Sequence, residues 1–257
     1  PPSPNGLFRS LPGGIEELVT TLRDALPAAS LRCNAQVSRV EGRGPYRVVL
    51  GTGEILDADA LILAVPAYAV AEMLRALDAE LATLCEGVRY MSTATVLLAY
   101  PAAAVRQPRT GTGFVVPRVQ PDTRLMAGSW VTSKWPGRAP AGQVLVRGFL
   151  GGARDPDVLE RDDETLRAET HDTFARLLGI DQQPGVSRVY RWPRAMAQHE
   201  VGHQARVREV ERRLADWPGL LVTGAGFRVS GVPDCISDGR ATARAVLSWH
   251  SEQGNAP

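Results

Sequence analysis

Two short stretches of this chain carry residue types whose spacing could do chemistry. His199-Glu200-Val201-Gly202-His203 fits the pattern H-E-x-x-H. On a helix that spacing sets two imidazoles on one face for zinc, with the glutamate placed to take a proton from bound water. The extended pattern needs a glycine at position 206 and a histidine at 209, where the chain has Arg206 and Glu209. Glu209 and Glu211 are too close to act as a third ligand, and Glu252 stands near the chain end. Gly202 would also cost a helix about 1 kcal/mol. A turn at Gly202, a helix start at His203 and a loop at His199 accommodate the same residues. Zinc hydrolysis is therefore the remote reading, and no metal ligand and no protein acid or base is assigned. The second stretch is an apolar strand, Leu220–Thr223, running into Gly224-Ala225-Gly226. This is half of a dinucleotide fingerprint. The third glycine falls at 231 instead of 229, and no acidic residue follows at the right distance. On spacing alone it is strand–turn–helix punctuation. Asp234 reads as the cap of the following helix, and Cys235 as a small buried group.

Stepping along the chain gives the elements that must position these residues. Ile15, Leu18, Val19, Leu22 and Leu26 recur with helical period and stop at Pro27. Short strands are expected at 30–34, 36–41 and 46–50. The apolar run from Asp59 to Val65, bounded by Pro66, predicts a strand buried on both faces. Residues 67–86 read as helical. Strands are expected near 91–100, 112–117, 123–131 and 143–151. A helix over 162–178 has acidic residues in its first turn and Gly179 past its end. A strand at 186–192 precedes a helix with Val207, Val210, Leu214 and Trp217 on one stripe. The strand at Leu220–Thr223 and a helix from Ser237 to Trp249 complete the chain, an α+β class with no internal repeat and no clear linker.

The 257 residues suffice for a sizeable core. A net charge of +1 gives no bulk electrostatic case for nucleic acid or an anionic membrane. Arginine abounds while Lys134 is the only lysine, which reads as base-composition bias. Cys33, Cys85 and Cys235 form no C-x-x-C spacing and suggest a reducing, cytoplasmic setting. No apolar run reaches the length of a membrane span.

Several segments, in order, resemble the protoporphyrinogen/coproporphyrinogen oxidase family of the flavin amine oxidase-like superfamily. Gly224-Ala225 through Ser230-Gly231-Val232-Pro233-Asp234-Cys235-Ile236 resembles the family's strand, G-N-x-x-x-G-x-G-I-P-D-C-I, helix. Ala225 stands for the usual Asn. Residues Phe8 to Leu18 resemble F-x-x-L-x-G-G-M-x-x-L, and Ala58 to Pro66 resemble A-D-x-V-I-x-A-x-P. Thr132 to Pro140 followed by Val144 to Gly152 resemble S-S-K-W-P and L-x-R-x-F-x-G-G. Arg191 to His203 resemble R-W-x-x-A-x-P-Q-Y-x-x-G-H, with His199 in place of the usual Tyr. On this resemblance the apparent zinc pattern is a family segment that a Tyr-to-His change has completed by accident.

The resemblance implies a two-domain flavoprotein: residues 1–66 part of an FAD-binding domain, 67–192 a mixed β-sheet substrate domain, and 193–257 a return to the first. It implies oxidation of a porphyrinogen, coproporphyrinogen III or protoporphyrinogen IX, to the porphyrin in haem biosynthesis, with FAD as cofactor and O₂ as acceptor. Cofactor contacts are expected from Val37, Trp192, Gly224, Gly226, Gly231, Val232, Pro233 and Asp234. The amides at the start of the last helix would face the flavin edge, and Gly224 and Gly226 would allow close approach. Phe114, Val115, Trp130 and Phe149 are the apolar candidates for a flat tetrapyrrole. The chain shows no G-x-G-x-x-G, opens without Met and aligns with the family's C-terminal portion. A non-catalytic fragment and another FAD amine oxidase-like enzyme are therefore alternatives. Peripheral membrane contact through the absent region, and a homodimer, are further implications of the family; nucleic acid is not a partner.

Overall fold

The computed structural model describes residues 9–106, 111–117, 119 and 122–254. Phe8, which opens one of the family-like segments, lies outside them. The chain divides into two compact units, one of residues 1–33 and 91–194, the other of 34–90 and 195–257. These limits differ from those expected. Residues 9–33 cluster with the larger sheet, and 67–90 with the C-terminal segment.

The first unit is built on a five-stranded antiparallel sheet. Its strands are β5 (Tyr90–Pro101), β6 (Gly113–Val115), β7 (Leu125–Trp130), β8 (Gln143–Gly151) and β9 (Val186–Ala197), in the order β6-β7-β8-β5-β9. The long helix α5 (Asp163–Leu178) covers one face with Leu166, Thr170 and Phe174, all fully buried. Both ends of α5 follow from sequence. The Asp162 carboxylate accepts from the Thr165 amide at 2.8 Å, and Gly179 takes the left-handed conformation that ends a helix without a Cβ clash. β8 matches its expected limits because its pattern of buried Val144, Val146, Gly148 and Leu150 alternates with half-buried residues. β9 runs five residues further than expected, through Pro193, which an edge strand tolerates. Helix α1 (Glu16–Ala25) forms as its periodicity predicts, yet Ile15, Val19 and Leu22 on its stripe are exposed. The short helix α4 (Val131–Lys134) follows β7.

The second unit joins a three-stranded antiparallel sheet to a parallel pair. The sheet is β1 (Val37–Gly42), β2 (Tyr46–Leu50) and β3 (Ile55–Ala58), and the pair is β4 (Leu61–Leu63) with β10 (Leu220–Val222). The expected strand at 30–34 is replaced by a 3₁₀ turn at Ala28–Ser30 and a left-handed Asn34, a conformation asparagine accepts. The expected strand from Asp59 to Val65 shrinks to three residues because β10 offers only three partners. Leu63 alone is buried, so it is not a strand covered on both faces. Residues 67–86 form two helices, α2 (Ala67–Leu74) and α3 (Ala79–Glu86), because the Asp78 side chain accepts from the Glu80 and Leu81 amides and starts a new helix. Helix α6 (His203–Leu214) buries Val207, Val210 and Leu214, and Val210 and Leu214 share a core with Val70, Leu74 and Leu81 of α2 and α3. Helix α7 (Val232–Gly254) begins five residues before its expected start. Among the described residues no helix is long and apolar enough to cross a membrane.

Candidate functional site

In the second unit β4 and β10 run parallel, so their carboxyl ends open on the same side. That is where ligands settle in open parallel sheets. The Thr223 amide donates to the Leu63 carbonyl at 3.1 Å and ties the two exits together. After β4, Pro66 turns the chain into α2, whose first amide, Ala67, donates to the Tyr90 hydroxyl at 3.0 Å. After β10 comes the loop 224–231. Gly224 has φ +107°, a region L side chains avoid, and nothing within 4 Å of its missing side chain. Gly226 is different: a Cβ there would lie 2.3 Å from the Tyr90 hydroxyl and 3.2 Å from the Ala67 Cβ. The close approach Gly226 permits within the chain is to Tyr90 and α2.

Two clamps hold this loop. At one end the Asp238 carboxylate, on α7, accepts from Thr223 Oγ1 (2.5 Å) and Arg228 Nε (2.7 Å). Arg228 also donates to the Val222 carbonyl at 2.6 Å and to Glu211 at 2.9 Å. Burial works to raise the Asp238 carboxyl, but the hydrogen bonds from Arg228 and Thr223 outweigh it and hold it below the usual carboxylate range. At the other end stand His199 and His203, their rings stacked with centroids 4.1 Å apart. His199 Nε2 lies 3.0 Å from the Ala225 carbonyl and His203 Nε2 lies 2.7 Å from that of Phe227. A carbonyl only accepts, so both Nε2 atoms carry hydrogen and donate. His203 is buried, and its Nδ1 has no partner among the described residues.

The same geometry answers the H-E-x-x-H pattern. Gly202, in the left-handed conformation, is the N-cap of α6, and His203 is the first helical residue. His199 and Glu200 precede the helix, so the helical spacing that zinc chemistry requires is not formed. Both Nε2 atoms are committed to backbone carbonyls, and Glu200 pairs with Arg89 at 3.2 Å. The turn at Gly202 with a helix start at His203 is the arrangement adopted.

The early start of α7 changes the setting of the remaining loop residues. The Cys235 amide donates to the Gly231 carbonyl at 2.8 Å, which makes Gly231 the residue before the first turn. Val232, Pro233 and Asp234 thus form that turn instead of a loop leading to it. Asp234 lies inside the turn and not at the cap, with its carboxylate turned back beside Gly231. Proline has no amide hydrogen, so the Val232 and Asp234 amides are the ones without an intrahelical acceptor. All three residues are exposed. Val37 begins β1, half-buried, opposite Leu50. Cys235 is half-buried, less covered than expected.

In the first unit, the sheet register sorts the expected substrate residues. Val115 pairs with Ala127, Ala127 with Phe149, and Phe149 with Thr95, forming one row across four strands. The Trp192 indole N–H donates to Thr95 Oγ1 at 3.2 Å, which brings β9 to the same row. Phe149, Val115 and Trp192 therefore share the face away from α5. Phe114 sits one residue off, in the row with Gly128 and Gly148, and so points to the other face. There it packs with Trp130 (centroids 5.4 Å) and Phe174 (6.0 Å), and Gly128 leaves the space its ring fills. Trp130 is 7% exposed. Trp130 is part of the core, and Phe114 is half-buried against it, on the opposite side of the sheet from Phe149 and Val115. Trp192 belongs to the first unit and the other expected cofactor residues to the second. Arg147 was not among the expected residues. Its guanidinium carbon lies 5.7 Å from the Phe149 ring centroid. The spacing of Arg147 and Phe149, two apart on a strand, was the available sign. Nothing local marked Tyr90 or the two histidine–carbonyl contacts.

Comparison with known proteins adds the following. Residues 5–247 match the family described as flavin containing amine oxidoreductase. The chain is 32% identical over 246 residues to coproporphyrinogen III oxidase of Bacillus subtilis (strain 168), covering 95% of this chain and 52% of that protein. It is 29% identical over 260 residues to the chloroplastic protoporphyrinogen oxidase of Nicotiana tabacum, covering 93% of this chain and 47% of the other. A crystal structure from Exiguobacterium sp. 255-15, provisionally named a protoporphyrinogen oxidase, superposes with a TM-score of 0.82 at 28% identity, over 96% of this chain and 54% of that one. The chain spans about half the length of the curated relatives it matches.

Proposed function

We propose, from the premise that this chain belongs to the flavin containing amine oxidoreductase family, that it forms part of an FAD-dependent porphyrinogen oxidase of haem biosynthesis. The substrate is a porphyrinogen, coproporphyrinogen III or protoporphyrinogen IX, and the acceptor is O₂, with hydrogen peroxide as the product. The observation that carries this reading is the sequence likeness to porphyrinogen oxidases over nearly the whole chain, joined to a loop and helix start at the carboxyl ends of parallel strands.

The residues present fit part of a flavin site. The free Val232 and Asp234 amides at the positive end of α7 suit a carbonyl or anionic edge. Gly224 leaves open space beside the loop, while Gly231 immediately precedes α7 and Val37 stands on β1. FAD, when bound, supplies the redox chemistry. This chain supplies a loop fixed by Arg228, Asp238, His199 and His203, and helix amides oriented in advance. In this reading the second unit carries the cofactor-facing loop, and the first unit carries the substrate face of Val115, Phe149 and Trp192. The protein is placed in the cytoplasm.

The test is a titration of the purified chain with FAD, followed by flavin absorbance and fluorescence, with a metal assay alongside. Expected are one flavin per chain and, with coproporphyrinogen III under air, porphyrin fluorescence accompanied by peroxide. A folded chain that takes up no flavin overturns the reading for this chain, and one equivalent of zinc would replace it with hydrolase chemistry.

A further inference from the structure

Several described guanidiniums of the first unit are neutralised by carboxylates. Arg106 pairs with Asp181, Arg161 with Asp155 and Glu169, Arg167 with Glu164, and Arg191 with Asp163. Arg147 has no ion pair among the described residues, and its Nε is buried with no hydrogen-bond partner. It stands at the middle of β8 between Leu97 of β5 and Ser129 of β7, on the face away from α5. What it touches is the ring of Phe149. A cation–π contact satisfies the flat side of a guanidinium but none of its N–H donors.

We propose that Arg147 is the anchor for a carboxylate of a flat, largely apolar ligand lying across Phe149 and Val115 on this sheet face. The inference rests on the substrate reading above and deepens it, since a porphyrinogen carries propionates on an apolar macrocycle. A planar fork of N–H donors beside an aromatic ring matches both parts of such a ligand. The surroundings ask for an anion. Burial, and next the like charge of Arg138, both work against the cation at Arg147. Arg138 does not relieve it, because its own guanidinium donates to Ser10 Oγ at 2.8 Å and to the Leu11 carbonyl. Two positive groups therefore act on a sheet face whose neighbouring rows are Val115, Ala127, Phe149 and Thr95, and Ser129, Arg147 and Leu97. An uncompensated, partly desolvated charge is costly, and a ligand carboxylate would compensate it.

The test uses 1-pyrenebutyrate, a flat fluorescent carboxylate, and its uncharged counterpart 1-pyrenebutanol, titrated against the intact chain. Wild type should bind the carboxylate roughly tenfold more tightly than the alcohol, the size of one charge-assisted hydrogen-bonded contact. Arg147→Gln should erase that preference and leave alcohol binding unchanged, and Arg147→Lys should keep part of it. Equal binding of both probes by wild type, no binding of either, a preference that survives in Arg147→Gln, or equal loss of both probes in that variant each overturns the proposal. The wild-type comparison decides even if the glutamine variant fails to fold. Coproporphyrin III, titrated in parallel, separates the two readings. If it fails to bind while the carboxylate preference depends on Arg147, the tetrapyrrole assignment is wrong and the anion site stands.

Discussion

Gly226→Ala separates a glycine kept for a ligand from one kept for the protein's own packing. The added Cβ would sit 2.3 Å from the Tyr90 hydroxyl and 3.2 Å from the Ala67 Cβ. The first separation is far below van der Waals contact, so Tyr90 or the loop must move. Overpacking of this kind costs about 1–3 kcal/mol. Moving Tyr90 also breaks its bond to the Ala67 amide, 3.0 Å long, and leaves the first amide of α2 unsatisfied. That adds about 1 kcal/mol. The substitution should therefore destabilise the chain by roughly 2–4 kcal/mol. Tyr90→Phe alone deletes the hydroxyl and should cost about 1 kcal/mol. In the Tyr90→Phe background the clash partner is gone, so Gly226→Ala should cost at least about 1 kcal/mol less than in wild type. Urea denaturation followed by circular dichroism measures all four corners of the cycle. A Gly226→Ala protein within about 0.5 kcal/mol of wild type would refute the packing argument. So would an unchanged cost in the Tyr90→Phe background. Either result would return Gly226 to the ligand side of the loop.

Other perturbations address the two clamps and the sheet. His203→Phe keeps the ring but removes the donor to the Phe227 carbonyl, so it should destabilise by about 1–3 kcal/mol, with His203→Gln less affected; thermal melts and exchange of the Phe227 amide report both. Because the folded Asp238 carboxyl is held below its unfolded value of about 4, its contribution is present above that pH and is lost as pH falls through the folded value. The stability gap between wild type and Asp238→Asn should therefore be largest near neutrality and narrow in acid, and pH-dependent denaturation curves that stay parallel would contradict it. In the first unit, Gly148→Ala places a methyl 2.6 Å from Thr170 Cγ2 and should cost about 1–3 kcal/mol. Gly239→Ala on α7 meets nothing within 4 Å and should stabilise by about 0.5–1 kcal/mol. The contrast between these two in one denaturation series checks the packing geometry of both units.

Much of the fold was legible locally. The alternation over 143–151 gave β8 its limits. Asp162 and Gly179 bracketed α5, and the stripe of Val207, Val210 and Leu214 is the buried face of α6. Each rests on hydrogen bonds and side-chain directions set within a turn or a strand pair, which nearby residues encode. The same rule separates two of the expected substrate residues. Phe114 and Val115 are neighbours on a strand, so they cannot serve one face together. Which of the two faces α5 would cover, however, was fixed only when residues 163–178 packed on the sheet.

What the tertiary structure decided lies in contacts between distant segments. β4 is short because β10, more than 150 residues later in the chain, supplies three partners. What the histidines of the H-E-x-x-H pattern do depended on the carbonyls of Ala225 and Phe227. That Gly226 also packs against Tyr90 is set by the fold and by nothing in its neighbours. Arg147 became notable only once the fold left its buried Nε without a partner among the described residues. Sequence determined the elements and the family because periodicity, caps and collinear segments are properties of the chain itself. The site's contacts were decided by the fold because a donor's partner is whichever acceptor the packing of remote elements brings within reach.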